Sequence, residues 1–228
     1  LAGGAGYNDL HGCAHGLSSE LGGAIRRVTL ARPRIADTVR SVIDPSSEVD
    51  PVAAVVAALR GRKGTRWIGI DGKGATGKTS LAARVAAALA GSVIVPIDDF
   101  ARPDLRGWER DRFVRQVLQP LLAKRSARYQ RWDFYRNVGA EWHTVPTGVP
   151  VVVEGVSSTD VRLGVPWDFT IWIEVAYEIR FARVLERDGP QMMERWLTDW
   201  MPSEDAYERE QRPQDRVDLV YRPPWATP

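Results

Sequence analysis

The stretch WIGIDGKGATGKTSLAARVAAAL, residues 67–89, limits the fold more than any other part of the chain. Trp67, Ile68, Gly69 and Ile70 read as a short buried strand. Leu81, Val85 and Leu89, with Ala82 and Ala86 beside them, repeat at the spacing of one helical face. Between the two, Gly72-Lys73-Gly74-Ala75-Thr76-Gly77-Lys78-Thr79 fits G-x-x-x-x-G-K-[ST] in the strand-to-helix setting that the motif requires. Glycine admits backbone angles closed to other residues, so successive N–H groups of such a loop can converge on one anion. The following helix adds unpaired N–H groups and the positive end of its dipole. A polyphosphate suits this backbone, with residues 72–80, Ser80 included, as its contacts. Lys78 is then expected to reach the β- and γ-phosphates and the Thr79 hydroxyl to ligate Mg²⁺.

The remainder of the chain sets bounds. With 228 residues and 44% hydrophobic content it can bury one good α/β core. A formal charge of +2 gives no argument for a nucleic-acid partner. Arginine outnumbers lysine 27 to 4, which favours bidentate phosphate contacts but decides nothing alone. The single cysteine, Cys13, excludes an intramolecular disulfide, no apolar run has the length of a membrane span, and no secretory pattern opens the chain. A cytoplasmic enzyme is the expectation, with monomer or homo-oligomer left open.

Residues 1–24 are rich in Gly, Ala and Ser and read as a flexible extension. His11, Cys13 and His15 have ligand-like spacing without a fourth ligand and receive no function. Residues 25–64 read as an N-terminal helical segment, in which Asp50-Pro51 starts a helix striped by Val52, Val55, Val56 and Leu59. Beyond the glycine-rich loop the pattern alternates: strand 92–97, helix about 109–124, strands 149–154 and 169–175, helices 176–187 and about 190–200, and strand 217–221. Such alternation implies a parallel sheet covered on both faces, with ligands at the carboxyl ends of its strands. Two of those ends carry acids, in Pro96-Ile97-Asp98-Asp99-Phe100 and in Val151-Val152-Val153-Glu154-Gly155.

The order of the glycine-rich loop, then IDDF, RWDF and VVVEG, resembles the P-loop kinase family of uridine kinase, nicotinamide riboside kinase and phosphoribulokinase, across about residues 66–222. The resemblance implies an α/β, P-loop NTPase three-layer fold. Its central five-stranded parallel sheet has the phosphate-loop strand in the middle and helices on both faces, and a small arginine-bearing lid lies at about 186–195. The kinase domain would run over 65–222, followed by a tail at 223–228. The resemblance also implies that Asp98 lies near the acceptor hydroxyl and the metal, and that Glu154 completes the metal site with Thr79.

Where family members carry Tyr-Asp-Phe on the segment lining the acceptor pocket, this chain has Trp132-Asp133-Phe134. Trp132 can stack on a ring and Asp133 can accept from sugar hydroxyls; a core tryptophan and a turn aspartate are the plainer alternative. Asp99 and Asp104 join the acceptor set, although Glu109 and Asp111 match the family's ribose-binding acid equally well. Arg180, Arg183 and Arg187 fall at i, i+3 and i+7, on one helical face apart from Phe181, Val184 and Leu185. In the family's lid such arginines close over the triphosphate, which gives Arg183 and Arg187 catalytic roles beside Lys78 and Asp98. Trp196 and Trp200 are expected to pack their helix on the core, and His143 remains an acceptor-side candidate.

The function these readings imply is transfer of the γ-phosphate of Mg²⁺-ATP to a hydroxyl of a small nucleoside-like metabolite. A nucleotide, vitamin precursor or antibiotic hydroxyl is the alternative acceptor, with Arg102, Arg128 and Arg131 available for a phosphorylated one. In a different class, a nucleotide-binding or ATPase module without transferase activity fits the same loop. A GTPase does not, because a guanine-reading N-K-x-D is absent.

Overall fold

The computed structural model describes residues 49–227. The extension at 1–24, with His11, Cys13 and His15, and most of the 25–64 segment lie outside the described residues. Helix α1 (Pro51–Leu59) starts as its dipeptide dictates: the Asp50 side chain accepts from Val52 N–H at 3.1 Å and Pro51 occupies the first turn. Such a cap contributes about 1 kcal/mol. Strand β1 (Arg66–Gly72) and helix α2 (Lys78–Ala88) flank the glycine-rich loop. Strand β2 (Val93–Pro96) runs into a single 3₁₀ turn at Ile97–Phe100, and residues 110–122 form α3.

An antiparallel hairpin of β3 (Ala127–Asp133) and β4 (Val138–Val145) follows. The chain then returns to the main sheet in β5 (Pro150–Glu154) and β6 (Phe169–Ile173). Helix α4 (Tyr177–Asp188), a long helix α5 over residues 193–211 and the short strand β7 (Leu219–Tyr221) complete the order.

The main sheet has the order β2-β5-β1-β6-β7, all strands parallel, with β1 in the centre. Alternating side chains feed two cores. Val151 and Val153 of β5 join Val95, Phe100, Phe113, Val117 and Leu121 on one face, whereas Val152 joins Ile68, Ile70 and Ile171 with Val55 of α1 and Val85 of α2 on the other. Because both faces are covered, these strands are near-continuous apolar runs, as the parallel arrangement demands. The five-stranded, three-layer architecture is the one implied by the sequence.

Two features depart from expectation. The 127–145 hairpin was not read as strands; it is an added antiparallel arm, held by Tyr129, whose ring stacks on Phe100 with centroids 5.1 Å apart. The helix expected to stop near residue 200 instead continues to Gln211 through Pro202. A proline inside a helix lacks an N–H and presses on the carbonyl four residues back. Both long helices meet this with a wider π turn just upstream, at Val114–Leu118 before Pro120 and at Trp196–Trp200 before Pro202. The helix therefore adjusts its register rather than ending.

Candidate active site

The strand register assembles the site. Glu154 is level with Ile70 of β1 and with Pro96 of β2, so the ends of three adjacent strands deliver the glycine-rich loop, Glu154 and the Ile97–Phe100 turn to one edge of the sheet. Close approach at this edge requires Gly155. Its φ is 136°, and a Cβ there would stand 2.2 Å from Ile97 Cγ1, inside the turn that carries Asp98. Within the loop Ala75 takes φ 62°, a left-handed conformation costly for a residue with a side chain and typical of a backbone shaped for a ligand.

Lys78 is buried and donates from Nζ to the Lys73 carbonyl at 2.7 Å. The Thr79 hydroxyl donates to Glu154 Oε1 at 3.1 Å. A hydroxyl paired with one carboxylate suits Mg²⁺, which keeps few protein ligands and fills its octahedron with phosphate oxygens and water. Among the described residues no group of three or more His, Cys, Asp or Glu is arranged to hold a metal ion.

Burial pushes the Glu154 carboxyl above its ordinary value, with Lys78 and the Thr79 hydroxyl opposing and the Asp98 and Asp99 charges reinforcing it. A carboxyl raised in this way holds its proton more tightly in the folded chain. It therefore lowers stability as pH climbs from the ordinary 4.5 through the raised folded value. Glu154→Gln is accordingly expected to raise Tm at pH 7 while removing metal-dependent activity. Each kcal/mol of relieved charge burial should appear as about 2–4 °C. Melting curves at pH 7 and pH 4 check this, since the gain should shrink once acid has neutralised Glu154 in the wild type.

The carboxyl pair after β2 divides. Asp98 is exposed, whereas Asp99 is half-buried and accepts from Tyr129 O–H at 2.9 Å. Burial raises the Asp99 carboxyl, partly offset by that phenol and by the charges of His143 and Arg131. His143 itself stacks on Tyr129, 5.2 Å between centroids, so it supports this link between turn and hairpin.

The acceptor candidates are partly brought together. Arg102 forks onto Asp104 at 2.9 and 3.0 Å and lies 4.4 Å from the Trp132 ring centroid, which gathers Asp104, Arg102 and Trp132 at one place. Asp133 accepts from Arg136 N–H at 3.0 Å and so closes the hairpin turn, the plainer of its two readings. Arg128 lies over Trp142, and Arg131 forks onto Glu141. Glu109 is engaged by Arg112 at 2.5 Å, and Asp111 makes no side-chain hydrogen bond within the described residues.

The arginines of α4 do not form one solvated face. Arg180 is buried and Leu185 is exposed. Arg183 stacks on Trp225 at 4.0 Å, and the indole edge lies beside Gly77 of the glycine-rich loop. Arg187 pairs with Asp188 and is close enough to Asp98 for that charge to raise its pKa further, behind the Asp188 hydrogen bond and against burial.

Sequence reasoning missed the grip of α5 on the loop. Lys73 Nζ lies 2.7 Å from Asp205 and 2.6 Å from Glu208, and Gly74 N–H donates to Glu204 at 2.9 Å. Tyr207 donates to Asp71 at 2.7 Å, and Asp71 also accepts from the Gly72, Ser157 and Thr159 amides. The signal was present in the helical spacing of acids in SEDAYERE; ending the helix at about residue 200 left it out. Lys73 and Gly74, expected among the phosphate contacts, thus have partners within the chain.

No helix of the described residues is long and apolar enough to cross a membrane. No protein-family model and no curated protein matches the chain. Among solved structures, one described as a "possible uridine kinase" from Bacillus stearothermophilus is 17% identical. That likeness covers 75% of this chain and 96% of the other, with a TM-score of 0.57. A "putative fructose transport system kinase" from Silicibacter sp. TM1040 is 19% identical over 76% of this chain and 100% of its own, with a TM-score of 0.62. At such identities the likeness establishes a shared three-layer α/β fold and nothing finer.

Proposed function

We propose that the chain is a Mg²⁺- and ATP-dependent phosphotransferase that moves the γ-phosphoryl group to a hydroxyl of a small, nucleoside-like molecule. The observation that carries this reading is the meeting, at one sheet edge, of buried Lys78 and the Thr79–Glu154 pair at 3.1 Å, with exposed Asp98 on the adjoining turn. Lys78 neutralises charge on the phosphoryl oxygens. Asp98 orients the acceptor hydroxyl and takes its proton as the acceptor oxygen bonds to phosphorus and the bond to the β-phosphate oxygen breaks. Thr79 and Glu154 would hold Mg²⁺, which supplies further neutralisation of the transferring group. Trp132, with Arg102 and Asp104, offers a ring-stacking and hydrogen-bonding surface for the acceptor. The Arg187 side of α4 supports a role for residues about 186–195 in closing over the triphosphate.

ADP release measured with and without a panel of hydroxylated metabolites, nucleosides first, tests the assignment. Release that depends on an acceptor, with the phosphate recovered on that acceptor, is the expected result. ADP release indifferent to every acceptor would replace the kinase with an ATPase module.

A further inference from the structure

Glu204 is 3% exposed and Arg180 4%. The carboxylate is shared: Oε1 accepts from Gly74 N–H at 2.9 Å and Oε2 from Arg180 Nη1 at 3.2 Å. A buried charge in such a position destabilises the fold unless it is fully engaged, and removing one partner leaves the other uncompensated. Three neighbours on the same helix repeat the attachment, since Asp205 and Glu208 hold Lys73 and Tyr207 holds Asp71. Trp196, two turns earlier on the same helix, lies directly over Gly74, where a Cβ would stand 2.6 Å from its ring. Residues 71–74 are therefore pinned from outside and Ala75 packs on the cluster of Val184, Trp196 and Met201, while among the described residues Thr76 to Ser80 make no hydrogen bond to α5. Burial raises the Glu204 carboxyl, against the opposing charges of Lys78, Arg180 and Lys73 and the Gly74 amide, so Glu204 also faces the lysine that the mechanism uses.

We infer that Glu204 is a positioning residue of the donor site, setting the shape of the phosphate loop through the Gly74 amide and joining it to Arg180 of α4. The inference rests on the phosphotransferase reading above. It divides the loop into a part held by α5, through Ala75, and a part from Thr76 on that is available to phosphate oxygens. It also assigns Lys73 to the support and leaves Lys78 as the loop lysine that meets the nucleotide. Arg180 Nε is buried with no acceptor among the described residues. Its side chain borders a cavity of about 380 Å³ that Lys73, Thr76 and Glu208 also line, so the pinned half of the loop forms one wall of open space.

The test compares full-length wild type, Glu204→Ala and Glu204→Asp by calorimetric titration with Mg²⁺-ATP and with Mg²⁺-tripolyphosphate at 20 °C, alongside melting curves. Loss of a buried hydrogen bond to a charged group predicts a rise in Kd of about 5- to 150-fold for both ligands in Glu204→Ala. Glu204→Asp keeps the charge but withdraws it by one methylene, and is expected to weaken binding at least about fivefold. A purely structural role would lower Tm and leave the Kd of the folded protein unchanged, and that result overturns the inference. Should Glu204→Ala not fold, Glu204→Asp decides alone by the same criterion. Wild type that binds neither ligand would instead sink the phosphotransferase reading, an outcome distinct from unchanged variant affinities.

Discussion

Asp98→Asn is expected to reduce kcat by about 10²–10⁴-fold while changing Mg²⁺-ATP affinity far less. The amide keeps the volume and can still hydrogen-bond, but it no longer accepts the acceptor's proton. Asp98 stands exposed on the Ile97–Phe100 turn, beside Glu154 and within the field of Arg187. If Asp98 served the metal rather than the hydroxyl, high Mg²⁺ or Mn²⁺ would recover much of the loss and nucleotide binding would weaken as well. Asp99→Asn is the control. Its carboxylate faces Tyr129, so the change should loosen the hairpin and shift Tm more than kcat. Steady-state kinetics and melting curves on both variants separate the cases. Equal losses in kcat would dissolve the distinction, and a fully active Asp98→Asn enzyme would end the base assignment.

Lys78→Ala should lower kcat/KM by about 10²–10³-fold, the effect of deleting one preorganised donor aimed at developing charge. Lys78 is buried between two acids whose pKa values it restrains, Glu154 and Glu204. Removing the ammonium should push both carboxyls higher, so the activity that remains should be lost at a higher pH on acidification than in wild type, because Glu154 must be ionised to serve the metal. Thr79→Ala provides the contrast: it removes a metal partner and leaves the ammonium, so its defect should respond to Mg²⁺ concentration whereas that of Lys78→Ala should not. Wild-type pH–rate profiles and turnover in Lys78→Ala would remove the loop lysine from the mechanism.

Several parts of this molecule were legible along the chain because their causes are local. The glycine-rich loop is eight consecutive residues whose backbone demands are written in their types. Apolar runs ending in Asp98 and Glu154 announced strands delivering acids, since a parallel sheet gathers its ligands at the carboxyl ends. The face assignment of α4 was less secure. Periodicity put Arg180 on one face with Arg183 and Arg187, but a buried carboxylate on another helix offsets the ordinary cost of burying a guanidinium and separates it from them.

What only the tertiary structure decided is which side chains support the loop and which remain open to a ligand. Gly74 and Glu204 are 130 residues apart, and no local pattern pairs an amide with a carboxylate at that separation. The hairpin was hidden because its strands leave Trp142 and Val138 exposed, so they lack the clean apolar alternation of a strand packed on a core. A helix was expected to end near residue 200, just before Pro202, and propensity concerns a helix in isolation. In the fold, a π turn absorbs the proline's lost bond while Met201, Glu204 and Tyr207 are buried, and that packing outweighs the local penalty. The sequence by itself determined the glycine-rich strand-to-helix loop and the layered sheet, which depend on neighbours in the chain. The three-dimensional arrangement determined the grip of α5 on that loop, which depends on desolvated contacts that exist only once both segments are packed.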